Sequence, residues 1–204
     1  MKKIFESVIF IIFTYILVNF IPMIKKYNIQ IKFSIYRSIM CTYFVIRSII
    51  YLLNSKNMFS NAFITQPNLL PLFFKFFSYI VIDIIFTITK KKKRYDLLIH
   101  HIIILIAISL AYKNNYIGTI LPILLVNEAI SIVSGFDTVE IFEKKFVNSI
   151  KFKQIRKIII SVIRFPIWVT FIYLIKNAQF TKKLKLLLII LTLSILCLDI
   201  YWFS

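Results

Sequence analysis

Two glycines, two cysteines, two histidines and eight acidic residues are spread thinly over 204 positions, and each scarcity excludes something. Cys41 and Cys197 stand alone inside apolar runs, so they report no redox compartment and make no metal-site spacing. No internal repeat, linker or low-complexity tail divides the chain. No basic face with stacking aromatics lies outside the apolar runs, which sets nucleic acid aside despite a formal charge of +18. The opening MKKIFESVIFIIFTYILVNF has a basic start, but its apolar stretch is too long for a signal peptide and no small-residue cleavage site follows. It reads as an uncleaved first span. Rarity of glycine beside abundant Ile, Lys, Asn, Phe and Tyr also suggests an AT-rich coding sequence.

What is plentiful is hydrocarbon. Hydrophobic residues make up 60% of the chain and the mean hydropathy is +0.85. Apolar runs of spanning length recur from end to end, more than a soluble fold of this size can hide, and about 20 residues suffice to cross a bilayer. Continuous runs without period-2 alternation predict helices that satisfy their own backbone in lipid. Spans are expected at about 4–24, 34–53, 69–89, 95–112, 116–134, 157–176 and 185–203. The fold class is therefore all-α membrane, with about seven transmembrane helices.

The cations sit mostly in connectors, as in membrane proteins with a positive-inside bias. The N-terminus and the connectors after spans two, four and six carry eight: Lys2, Lys3, Lys56, Lys113, Lys176, Lys182, Lys183 and Lys185. The connectors after spans one, three and five carry fifteen: Lys25, Lys26, Lys32, Arg37, Lys90, Lys91, Lys92, Lys93, Arg94, Lys144, Lys145, Lys151, Lys153, Arg156 and Lys157. The richer side, with the C-terminus, is expected to face the cytoplasm.

Polar groups inside spans are expensive in hydrocarbon and mark interiors or cavities. At 1.5 Å per residue, His100 and His101, Asp83, Asn127 with Glu128, Arg164 and Asp199 all fall roughly 6–10 Å from the same membrane face. Five successive helices thus offer ionisable groups in one layer, which predicts a polar chamber. A buried ionic network that merely holds helices together is the plainer alternative. Neighbouring histidines point about 100° apart, so one is free to line the chamber while the other braces a helix. Asp96, one turn before His100, is placed to orient an imidazole, and a neutral imidazole in a dry chamber is a competent base or nucleophile. Metal is disfavoured because adjacent histidines on a helix diverge. Lys75 is expected to snorkel, Pro166 to kink span six, Tyr201 and Trp202 to form an interfacial belt, and Asp137, Glu140 and Glu143 to be solvated. Arg47 lies off the common layer.

In order along the chain, SYIVID (78–83), YDLLIHHIIIL (95–105), LLVNEAIS (124–131) and VIRFPIW (162–168) resemble the TLC-domain family. That family includes ceramide synthases, translocating-chain-associating membrane proteins and a neuronal-lipofuscinosis membrane protein. The resemblance covers roughly residues 33–204, leaving 1–32 as a first transmembrane helix and basic connector. It implies that spans two to seven form a six-helix barrel around a lipid-sized chamber in an internal membrane such as the endoplasmic reticulum. It also implies lipid metabolism: acyl transfer from acyl-CoA, as co-substrate, to a lipid amine or alcohol. His100, His101 and Glu128 are then the catalytic candidates. Asp83, Asp96, Asn127, Ser131, Arg164 and Asp199 form a supporting layer, and Lys90, Lys91, Lys92, Lys93 and Arg94 are a weaker candidate for the CoA phosphates. No permanently bound cofactor is implied. Asn127-Glu128 replaces the histidine-aspartate pair of the synthases, and the extension that follows the histidines there is missing, so the chain resembles the short members tied to phospholipid composition. A non-catalytic lipid-binding or cargo-handling protein is the alternative.

Overall fold

The computed structural model describes residues 2–89, 94–135 and 149–203. These residues are all-helical, with no strand among them. We number seven helices. They are α1 (Lys2–Phe20), α2 (Ile29–Leu53), α3 (Leu70–Thr89), α4 (Tyr95–Lys113) and α5 (Ile120–Gly135); α6 runs from Ser149–Ile159 through Ile160–Arg164 to Phe165–Asn177, and α7 is Lys182–Phe203. Six of the seven are long and apolar enough to cross a membrane. The exception is α5, a shorter apolar helix.

The burial pattern is that of a molecule solvated by lipid. Isoleucines such as Ile12, Ile46, Ile85, Ile102 and Ile190 are exposed, whereas Asp83 and Asp199 are 0% exposed and Arg164 is 1% exposed. In water this would be inside out. In hydrocarbon it is what the cost of lone polar groups requires. Packing follows a circuit: α2 lies on α3, α3 on α4, α4 on α7, α7 on α6, α6 on α5, and α5 back on α2. Outside that circuit, α1 packs against α3 and α2, with Tyr36 donating to the Ile11 carbonyl.

Two sequence expectations change here. Asn28 caps α2 by accepting from the Gln30 and Ile31 amides, so the helix starts at Ile29 rather than near 34. Lys32 and Arg37 therefore lie within a span, and Arg37 is buried. The predicted span 116–134 also begins late. Gln66 and Thr119 amides bond to the Ile117 and Asn61 carbonyls, and Ile120 to that of Ala62, so 58–66 and 115–120 tuck against each other. Gly118 allows this, because a Cβ there would lie 2.3 Å from the Asn61 carbonyl oxygen. What remains of the span is 16 residues from Ile120 to Gly135, or about 24 Å of helix. Its middle, Val126–Glu128, tightens to a 3-10 turn.

Candidate functional site

The polar side chains come from five helices, and the circuit brings them together. On α2, Arg37 donates to Asp83 Oδ1 of α3 from Nε at 3.1 Å and from Nη2 at 2.6 Å. The other oxygen of Asp83 lies 3.0 Å from His101 Nδ1 of α4, at ion-pair distance. The His101 ring is 5.5 Å from His100, and His100 meets Trp202 of α7 edge-on at 5.2 Å. Arg164 of α6 sits 5.7 Å over the same indole and 3.0 Å from Asp199, which accepts from Trp168 at 2.7 Å. A continuous polar chain thus crosses five helices.

The two imidazoles divide the work as their 100° divergence predicts. His101 turns to α3 and Asp83. His100 lines a buried cavity of about 60 Å³ with Asn127, Glu128 and Arg164. His100 Nδ1 and both polar side-chain atoms of Asn127 have no hydrogen-bond partner among the described residues. Buried polar atoms of this kind call for a partner, and these border a cavity. Beyond them the walls are apolar. A second cavity of about 60 Å³ shares Ala107, Ile108, Leu121, Leu124, Phe171 and Leu188 with the first. It ends against Phe63, Tyr116 and Phe180, packed ring to ring at 4.7 Å and 4.6 Å. Such a slot has room for a few waters or a single methylene chain.

Local distortions aim these groups. In α6 the backbone widens to a π-turn at Ile160–Arg164, with the Phe165 amide reaching back to the Ile160 carbonyl. Pro166 follows within the first turn of the next segment. The expected kink is this π-turn, the kind of helix defect often found at functional sites, and it delivers Arg164 inward. Glu128 accepts from Ser131 at 2.9 Å and from the Cys41 thiol at 3.6 Å, so the two conspicuous residues of LLVNEAIS do bond to each other.

Three expectations are corrected. Asp96 does not orient His100: it accepts from Arg94 at 2.5 Å and from Trp202 Nε1 at 2.8 Å. That bond raises the Arg94 pKa above its ordinary value, so the guanidinium stays charged. Trp202, expected in an interfacial belt, thus bonds to Asp96 and packs edge-on against His100. Arg37, counted from sequence as a loop cation, is the main partner of Asp83. Cys41, Tyr79 and Trp168 were also unforeseen. Tyr79 and Cys41 lie 3.4 Å apart behind Glu128. Of the proposed phosphate cluster, Lys90, Lys91, Lys92 and Lys93 lie outside the described residues, as do Asp137, Glu140 and Glu143; Arg94 is engaged by Asp96. Among the described residues, no group of three or more His, Cys, Asp or Glu is placed to hold a metal ion.

Comparison with protein-family models, curated proteins and solved structures finds no match to the chain. The site's own geometry is therefore the basis for function.

Proposed function

We propose that the protein is a multi-pass membrane protein of lipid metabolism that holds an acyl chain in its slot and transfers an acyl group to a lipid amine or alcohol, with acyl-CoA as donor. The observation that supports this best is the His100 imidazole, unpaired at Nδ1 on the wall of a buried chamber whose far half is apolar. His100 accepts the proton of the acceptor O–H or N–H as that atom attacks the thioester carbonyl. The C–S bond then breaks, and the imidazolium returns the proton to the CoA thiolate. Arg164 and Asn127 offer donors to the oxyanion. His101 and Asp83 fix the helix that carries His100. The packing circuit of α2 to α7, with α1 outside, supports a six-helix barrel of the kind the TLC-domain resemblance implies, and the cation count supports a cytoplasmic face for the histidine side and the C-terminus. An internal membrane such as the endoplasmic reticulum is the proposed location.

A labelled acyl-CoA assay on purified protein, across long-chain amines and lipid alcohols, tests this. His100→Gln, which keeps most of the buried volume, is expected to lower transfer by about 10²–10⁴-fold while unfolding near the wild-type temperature. One observation favours non-catalytic lipid binding instead: Glu128 accepts from Ser131 and Cys41, and Asp96 from Arg94 and Trp202, so neither carboxylate is seen to orient His100. Chain-length-dependent lipid binding with no acylated product from any acceptor would decide for that function.

A further inference from the structure

The end of the molecule opposite the histidines holds a separate cavity, of about 560 Å³, between the end of α2, the connector 54–68 and the first turns of α3. Arg47, Lys56 and Lys75 line it with the amides of Asn54, Asn57 and Asn68. No acidic residue is among its described lining residues. We propose that this cavity binds a phosphate group, carried by a phospholipid headgroup or free in solution.

Depth is the first support. Arg47 lies about 9 Å before the end of α2, and Lys75 about 8 Å after the start of α3. Both charges are thus within spans, where an uncompensated cation is costly. Arg47 has no hydrogen bond or ion pair with any described residue, which leaves its guanidinium available to a ligand in the cavity it lines. Lys75 does not escape by snorkelling. Its ammonium donates to the Tyr43 hydroxyl at 3.0 Å and lies 4.2 Å from the Phe10 ring. Tyr43 is about 15 Å from the end of α2, deeper than Lys75 itself. The lysine reaches inward and spends one of its three donors on Tyr43; a snorkelling side chain runs the other way.

Chemistry is the second support. A tetrahedral phosphate presents several acceptor oxygens, which a forked guanidinium, an ammonium and carboxamide N–H groups match. The volume is that of a small-molecule site. Beside Arg47 on α2, Ile46, Ile49, Ile50 and Leu53 are exposed, an apolar strip along which the chains of a bound lipid can lie.

Full-length protein in zwitterionic detergent is titrated with phosphatidylglycerol, with diacylglycerol and with inorganic phosphate, by native mass spectrometry and equilibrium dialysis. The wild type is expected to bind phosphatidylglycerol, and R47Q/K75Q to bind it roughly tenfold or more weakly. R47Q alone, at an exposed residue without a hydrogen-bond or ion-pair partner among the described residues, should shift affinity the same way without altering the unfolding temperature. Competition by inorganic phosphate would assign the site to the phosphate itself. Binding of phosphatidylglycerol that phosphate does not displace would assign it to the intact headgroup. Equal affinity of wild type and both variants for phosphatidylglycerol, or diacylglycerol bound as tightly as phosphatidylglycerol, would overturn the assignment.

Discussion

Asp83 shows how much one side chain is asked to do. It is fully buried and holds Arg37 on one oxygen and His101 on the other. Removing one member of a buried ion pair strands the other, at a cost of about 3–5 kcal/mol. Asp83→Asn should therefore lower unfolding stability in detergent by about that much, whereas R37M/D83L, which strands no charge, should cost less. A single substitution no worse than the double one would show that the pair carries no burial penalty. His100→Ala should lower unfolding stability by roughly 2–5 kcal/mol, because a buried ring packed against His101 and Trp202 is lost, although the unpaired Nδ1 makes no bond to lose. Depth along a helix made the histidines, Asp83, Glu128, Arg164 and Asp199 legible from sequence. Arg37 was not, because a polar first turn (IQIK) hid the true start of α2. Nor was Trp202, since a tryptophan near a span end ordinarily marks the interface, and only the tertiary partner, Asp96, tells the two cases apart.

At the scale of elements, both glycines of the chain are contact points. A Cβ on Gly135 would lie 1.7 Å from Ser38 Oγ and 2.5 Å from the Ser34 carbonyl oxygen, so α5 and α2 touch there backbone to backbone. Gly135→Ala should cost about 1–3 kcal/mol or more by unfolding, and Ser38→Ala should not restore it, because the Ser34 carbonyl cannot move aside. Gly118→Ala meets only main chain, with Asn61 and Ala62 oxygens at 2.3 Å and 2.4 Å. It should loosen the tuck of 58–66 against 115–120, read as faster amide exchange at Thr119 and Ile120. The existence and order of the helices followed from hydropathy. The shortness of α5 did not, because Tyr116 and Ile117 extend its apolar run, while the bonds that pull them out of the helix come from residues some fifty positions earlier.

For the whole molecule, the six spanning-length helices and α5 set the two ends of the circuit on opposite faces. If the histidine end is cytoplasmic, as proposed, a glycosylation site inserted within 54–68 should be modified in microsomes and one within 135–156 should not. The reverse pattern would invert the orientation and move the His100 chamber to the other leaflet. Bulk in the shared wall gives a separate check: Leu121→Trp should close the slot and abolish chain binding while leaving the Arg37–Asp83 pair intact.

The rings of Phe63, Tyr116 and Phe180 pack against one another at the end of the slot away from His100. If the slot serves the proposed acyl transfer, a product whose reacting end lies at His100 would leave past the same imidazole that incoming donor and acceptor must reach, and its departure would compete with their arrival.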